Sequence, residues 1–179
     1  MRISEQIWPR AVCLVTTASK KGKVNVMTAS FVMPISFEPK YLAFSIAPER
    51  ESFKNLKETK EFGLNVCDEK MYRKALICGS YSGKNADKFK LAKLEKENAK
   101  FIKAPLLKES PISFECKVEA IKKFGDHYLV VGKVINEVVR KENFKPLLLS
   151  LIHISEPTRP RLSSYAVFCW KKKKKKDEH

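Results

Sequence analysis

Four small polar clusters interrupt otherwise apolar, strand-like sequence. They are Thr28-Ala29-Ser30, Ser45 with Arg50 and Ser52, Ser80-Tyr81-Ser82-Gly83-Lys84, and Gly125-Asp126-His127. Hydroxyls, backbone amides and a few cations are the groups that hold a phosphate and the polar edge of a flat ring. Apolar strands supply the wall on which such a ring lies. In the second cluster a strand ends at Ala47-Pro48, and Arg50 and Ser52 stand where a helix begins. Free amides and the positive dipole end of a helix suit an anion there. Arg50 can meet phosphate oxygens two at a time. The competing assignment makes Ser52 a plain helix cap and leaves Arg50 in solvent.

The other clusters are equally double-edged. Thr28-Ala29-Ser30 lies inside a strand between Val26 and Phe31, where small hydroxyl residues serve either a ligand-facing edge or a crowded barrel interior. The Ser80–Lys84 loop leads into a helix and supplies hydroxyls, a flexible glycine and cations. It is no Walker loop, because Gly79 and Gly83 are wrongly spaced and the Lys-Ser/Thr ending is missing. Taken alone it is an ordinary turn. His127 is either structural or placed to hydrogen-bond a nicotinamide or flavin edge. No G-x-G-x-x-G occurs, so a Rossmann unit is not expected.

The elements that must position these groups are mostly strands. Ala11–Thr17 and Val24–Met33 flank a polar turn at Ser19–Lys23 and predict a hairpin, and Pro34 and Pro39 bracket a loop. Between Tyr41 and Ala47, Leu42, Phe44 and Ile46 face one way, and Ala43, Ser45 and Ala47 the other. That small-residue face leaves room for something flat. Glu51–Thr59 predicts a short helix, Phe62–Val66 a strand, and Asp68 caps a helix through Met71, Ala75 and Leu76. Asp87–Leu94 is a second helical piece. Phe114, Cys116, Val118 and Ala120 alternate with Ser113, Glu115, Lys117 and Glu119 in a half-exposed strand, and His127–Val139 reads as a long buried one. Six or so strands with short helices predict a mostly β fold, a small antiparallel barrel.

At 179 residues, 44% hydrophobic and 31% charged, the chain can bury a core without staples. It has no apolar run of about 18 residues, so no membrane partner is expected. Its first residues, MRISEQIWPRAV, lack a long apolar stretch, which predicts a cytoplasmic protein. Five cysteines (13, 67, 78, 116 and 169) contain no CxxC pair, which predicts reduced, buried thiols and no metal site. The net charge of +16 divides unevenly. From Leu149 onward there are eight positive residues (Arg159, Arg161, Lys171 to Lys176) and three negative ones (Glu156, Asp177, Glu178), leaving 28 and 17 upstream. The upstream charges are interspersed and read as a solvated face. A basic barrel binding single-stranded nucleic acid would want clustered aromatics. Tyr41, Phe53 and Tyr81 are scattered, so no nucleic-acid partner is expected.

Residues 149–179 break the pattern of everything before them. Leu149–Pro160 has neither helical nor strand periodicity, and resembles the translation of a transposase-type sequencing-library adapter. Ser164–Cys169 resembles its flow-cell end, and Lys171–Lys176 reads as poly-A. The expected division is a domain over 1–148 and a non-native tail over 149–179, with no role for His153 or Cys169.

Taken in order, the clusters resemble the flavin reductase family with the FMN-binding split-barrel fold, in particular its flavoredoxin-like branch. The matching stretches are Pro9–Thr17, Met27–Phe31, Phe44–Arg50, Cys78–Lys84, Asp87–Phe89, Glu109–Pro111, and Gly125–His127 with Gly132. The resemblance implies a split β-barrel of Greek-key-like antiparallel strands and a homodimer binding FMN near its interface. It also implies an NAD(P)H donor, with free flavin or a redox protein as acceptor, or else a carrier that does not oxidise nicotinamide. By the same likeness, Thr28, Ala29 and Ser30 line the isoalloxazine edge, and Ser45, Arg50, Ser52, Ser82, Gly83 and Lys84 lie nearer the ribityl phosphate. Phe31, Ile46 and Ala47 complete the cofactor-binding set. His127 is the catalytic candidate where an electron partner meets the flavin. Family members continue past Lys145–Leu148 into a Gly-rich turn and an aromatic near the cofactor, and their replacement here predicts weaker flavin retention, less stability, or both.

Overall fold

The computed structural model describes residues 3, 6–7 and 9–149, and the backbone of 167–168. Strands β1 (Arg10–Ala11), β2 (Cys13–Ala18), β3 (Val24–Ala29), β4 (Val32–Phe37) and β5 (Lys40–Ile46) precede helix α1 (Glu51–Thr59). Then follow β6 (Glu61–Val66), a single 3-10 turn (Glu69–Met71), α2 (Tyr72–Ser80) and α3 (Lys88–Leu91). The rest comprises β7 (Lys96–Glu97), β8 (Leu106–Leu107), β9 (Ile112–Phe124), β10 (His127–Val139), β11 (Leu148–Leu149) and β12 (Val167–Phe168).

Seven strands form one sheet in the order β3-β2-β6-β9-β10-β5-β4, every pairing antiparallel. Strand β2 explains why the sheet curls. All six of its residues are buried, which requires cover on both faces. Alternation sends Cys13 and Val15 into a cluster with Phe44, Ile46, Leu56, Phe62, Cys116 and Val130 inside the barrel. Val12 and Leu14 join Met71, Ala75, Cys78, Phe89 and Leu107 in a second cluster under α2 and α3. Gly132 lets the barrel close tightly, since a Cβ there would stand 2.5 Å from the Phe62 ring.

Several sequence expectations change. The segment 24–33 is two strands, β3 and β4, at opposite edges of the sheet, broken at Ser30-Phe31. Thr28-Ala29-Ser30 therefore ends a strand. Pro34 lies within β4 rather than at a loop, which an edge strand with a register shift permits. The Asp87–Leu94 piece shortens to α3, and the 68–80 helix begins with the 3-10 turn, capped by Asp68 accepting from Lys70 N. Strand β10 runs as far as predicted but is half-buried, with only Val130 and Gly132 fully covered. Glu115, expected on an exposed face, is 1% exposed. It accepts from the amides of Lys100 and Phe101 at 3.0 and 2.7 Å and from Asn136 at 2.8 Å. Leu149 pairs with Arg10, and Val167–Phe168 lie parallel to Leu148–Leu149. The remainder of the tail reading, residues 150–166 and 169–179, falls outside the described residues.

Candidate functional site

The split in the barrel is the key to the site. Strands β3 and β4 are consecutive in sequence yet occupy opposite edges of the sheet, so Ser30 and Phe31 must bridge the seam. Ser45 N donates to Phe31 O at 2.9 Å and ties the bridge to β5. Three adjoining hollows follow this seam. The first, about 320 Å³, is lined by Asn25, Arg50, Ser52, Ser82, Gly83, Lys84 and Lys88, among others. It shares Met27, Thr28 and Arg50 with a middle hollow of about 150 Å³ that also holds Ala29, Ile46, Ala47 and His127. That one shares Ser30, Phe31 and Ser45 with an apolar groove of about 350 Å³ walled by Ala43, Val32, Met33 and Leu129. The result is a trough charged at one end, where Arg50, Lys84 and Lys88 stand with Glu49 and Glu51, and apolar at the other. All thirteen residues singled out from the sequence stand on it.

The charged end is built on α1. Arg50 is the N-cap and makes no side-chain capping bond, so its guanidinium is not spent on the helix. The first amides of a helix lack intrahelical acceptors. Ser52 lies inside the first turn rather than at the cap, fully buried, and accepts from Asn25 Nδ2 at 2.8 Å. With its oxygen engaged as acceptor, its proton is left to donate. The Ser82–Lys84 loop closes against the same asparagine. A Cβ at Gly83 would overlap the Asn25 amide oxygen, so only glycine allows that approach. Lys88, fixed by α3 with Asp87 as its cap, is 5% exposed and donates to Cys78 O at 3.1 Å. Burial pulls its ammonium below the usual lysine value.

The middle is polar but partly committed. Thr28 Oγ1 gives its proton to Ala75 O at 2.5 Å, which leaves the oxygen as an acceptor toward the trough. The Ala29 and Ile46 side chains belong to the core, so these positions offer mainly strand backbone. His127 stands at the mouth of the β9–β10 hairpin, its Nδ1 2.9 Å from Asp126 Oδ1 and its ring 6.3 Å from that of Phe31. The hydrogen bond to His127 holds the Asp126 carboxyl below its ordinary value. The Arg10 guanidinium lies over the Phe31 ring, 5.0 Å from its centroid. Of the scattered aromatics, Phe53 is buried against Tyr128, with centroids 4.5 Å apart, and offers no stacking surface.

Sequence reading missed Asn25 and Lys88 as lining residues, and Tyr81, part of the third cluster, also lines the hollow. Asn25 left a signal, a polar residue between Val24 and Val26 that a buried strand must satisfy. Lys88 was visible only as a cation in a loop, because its burial is set by packing between α2 and α3. Among the described residues no cluster of metal-ligating side chains occurs, and no helix is long and apolar enough to cross a membrane.

A split barrel with a charged end and an apolar end along one seam is the frame of the flavin-related oxidoreductases that the chain matches. Residues 6–155 match the flavin reductase like domain, and the chain belongs to that family. A protein of Aquifex aeolicus (strain VF5) is 33% identical over 132 residues, covering 71% of this chain and 67% of its own. A flavin reductase of Pseudomonas putida is 25% identical over 137 residues, covering 76% of each. The crystal structure of flavoredoxin from Methanosarcina acetivorans superposes with a TM-score of 0.77 at 26% identity, covering 85% of this chain and 86% of that one.

Proposed function

We propose that the chain is an FMN-dependent flavin reductase-like oxidoreductase, taking electrons from NAD(P)H and passing them to free flavin or a redox protein. The continuous trough supports this reading most directly, because its order of chemistry is that of a flavin mononucleotide laid lengthwise. Arg50, Lys84, Lys88 and the Ser52 hydroxyl hold the phosphate. Strand backbone at Ala29 and Ile46 and the hydroxyls of Ser30 and Ser45 meet the polar ring edge. Ala43 leaves space for the rest of the ring. When bound, FMN supplies the hydride and electron chemistry; the protein's part is to orient it, exclude water and present His127 beside the exposed face. The reading includes a homodimer, the second copy covering the apolar arm. The likeness to flavoredoxin favours a second possibility, an electron carrier that leaves nicotinamide unoxidised.

Purified protein should be yellow and release FMN on denaturation. Anaerobic bleaching by NADH or NADPH identifies the reductase, and bleaching only by dithionite identifies the carrier. A colourless protein that FMN neither binds nor stabilises overturns both.

A further inference from the structure

Phe31 stands where the middle hollow meets the apolar groove, and it lines both. Its backbone is pinned, because its carbonyl accepts from Ser45 N at 2.9 Å. Its side chain is less confined, since the ring belongs to neither core cluster and the residue is 37% exposed. Two groups bear on that ring. The Arg10 guanidinium lies 5.0 Å from its centroid, and Arg10 Nη1 donates to Ile7 O at 2.6 Å. The His127 ring is 6.3 Å away at an interplanar angle of 43°, its Nδ1 held 2.9 Å from Asp126 Oδ1. Stacked aromatic atoms sit about 3.5 Å apart, so a flat ring between two others needs about 7 Å between them. The Phe31–His127 pair reaches that width by parting slightly and coming parallel.

We propose that Phe31 is the specificity-determining residue toward the electron partner, forming with His127 a slot for a planar aromatic ring, and that Arg10 is its positioning residue. This rests on the FMN reading above, but concerns the partner that meets the flavin rather than the flavin itself. A planar ring entering the slot exchanges one tilted aromatic contact for two stacked ones. The pinned backbone at Phe31 means that only a side-chain adjustment is needed. Two sources carry such a ring, the nicotinamide of a donor and the isoalloxazine of a free-flavin acceptor. A compact inorganic oxidant such as ferricyanide has no π face and gains nothing from the slot. Arg10 acts through Phe31, because a cation over the ring face sets which way the ring stands. Its loss lets the ring turn away while the apolar surface stays.

The test uses the FMN-loaded full chain, reduced anaerobically with stoichiometric dithionite, as wild type, Phe31→Leu, Phe31→Tyr and Arg10→Met. Titration with NAD+ reads the donor's ring, through the charge-transfer absorbance that nicotinamide forms with reduced flavin. Mixing with riboflavin or with ferricyanide reads the acceptor. Phe31→Leu should weaken NAD+ binding, or raise the half-saturating riboflavin concentration, by about 3- to 10-fold, as for one lost ring–ring contact. Whichever arm moves names the source of the ring. Phe31→Tyr should restore the wild-type value, and Arg10→Met should follow Phe31→Leu in the same arm. Oxidation by ferricyanide should stay within about twofold throughout. The Phe31 variants should melt with wild type, since the ring lies outside the core. No change in either arm for Phe31→Leu, no recovery in Phe31→Tyr, or a ferricyanide rate that falls with the others overturns the proposal and leaves the FMN reading standing. Arg10→Met behaving as wild type overturns the positioning role. Failure of wild type to hold FMN removes the FMN reading itself, and the slot with it.

Discussion

At the residue scale, the charged end of the trough depends on close approaches more than on the number of charges. Gly83 is the clearest case. Its α-carbon faces the Asn25 amide so closely that any side chain must displace it, and Asn25 is what orients Ser52. Gly83→Ala should therefore weaken FMN binding, and cost about 1–3 kcal/mol of stability, the usual range for overpacking. Isothermal titration and urea unfolding measure the two effects, and a neutral result would mean that the loop shifts freely. Arg50→Ala and Ser52→Ala should each weaken FMN by on the order of 1–3 kcal/mol. The thiols answer differently. Burial pushes Cys13 up to about 12 and Cys78 up to about 11, and Cys67 and Cys116 are raised as well. A thiol reagent at pH 8 should leave all four unmodified until the chain unfolds.

At the scale of elements, the chain was most readable where one face of a strand or helix had to be apolar. The alternation of Leu42, Phe44 and Ile46 with Ala43 and Ser45 gave β5 and its small-residue wall, and Glu51–Thr59 matched α1 residue for residue. It was least readable where a break depends on closure. Nothing in Val24–Met33 marks Ser30-Phe31 as a crossing between opposite sheet edges, because that break follows from how far the sheet curls. The buried face of β9 was hidden for a similar reason. Glu115 is covered by a loop, Lys100 to Ile102, that turns its amides onto the carboxylate. Burial alone would raise this carboxyl. The bonds from Lys100, Asn136, Phe101 and Ile102 outweigh burial and hold it below its ordinary 4.5. A carboxyl lowered on folding adds stability above its unfolded value, and that contribution is lost as pH falls through the folded one. Wild type should thus lose stability steadily below about pH 4.5. Glu115→Gln should be less stable at pH 7 by on the order of 1–3 kcal/mol and fall less steeply in acid. Parallel acid slopes in thermal melts of the two proteins would remove Glu115 from the account.

For the whole molecule, the seam that creates the trough also leaves it open on one side. Its apolar arm runs out beside β4, an edge strand with unpaired backbone, where Met33 is 52%, Ile35 47% and Phe37 93% exposed. Edge strands are normally blunted by charge or cover, and β4 carries no charged residue between Val32 and Phe37. Contiguous apolar surface of this kind marks a contact face. A second copy placed there would shield the ring end of the trough, coupling assembly to cofactor retention as the proposed homodimer requires. Ile35→Lys together with Phe37→Asp should convert the proposed dimer to a monomer in sedimentation velocity without unfolding it, since both side chains are outside the core. The same variant should release FMN faster than wild type, while Arg50→Ala weakens FMN without changing the oligomeric state. The two variants thus separate the charge end from the ring end. A wild type that sediments as a monomer and still keeps its flavin would show that the barrel closes the trough unaided.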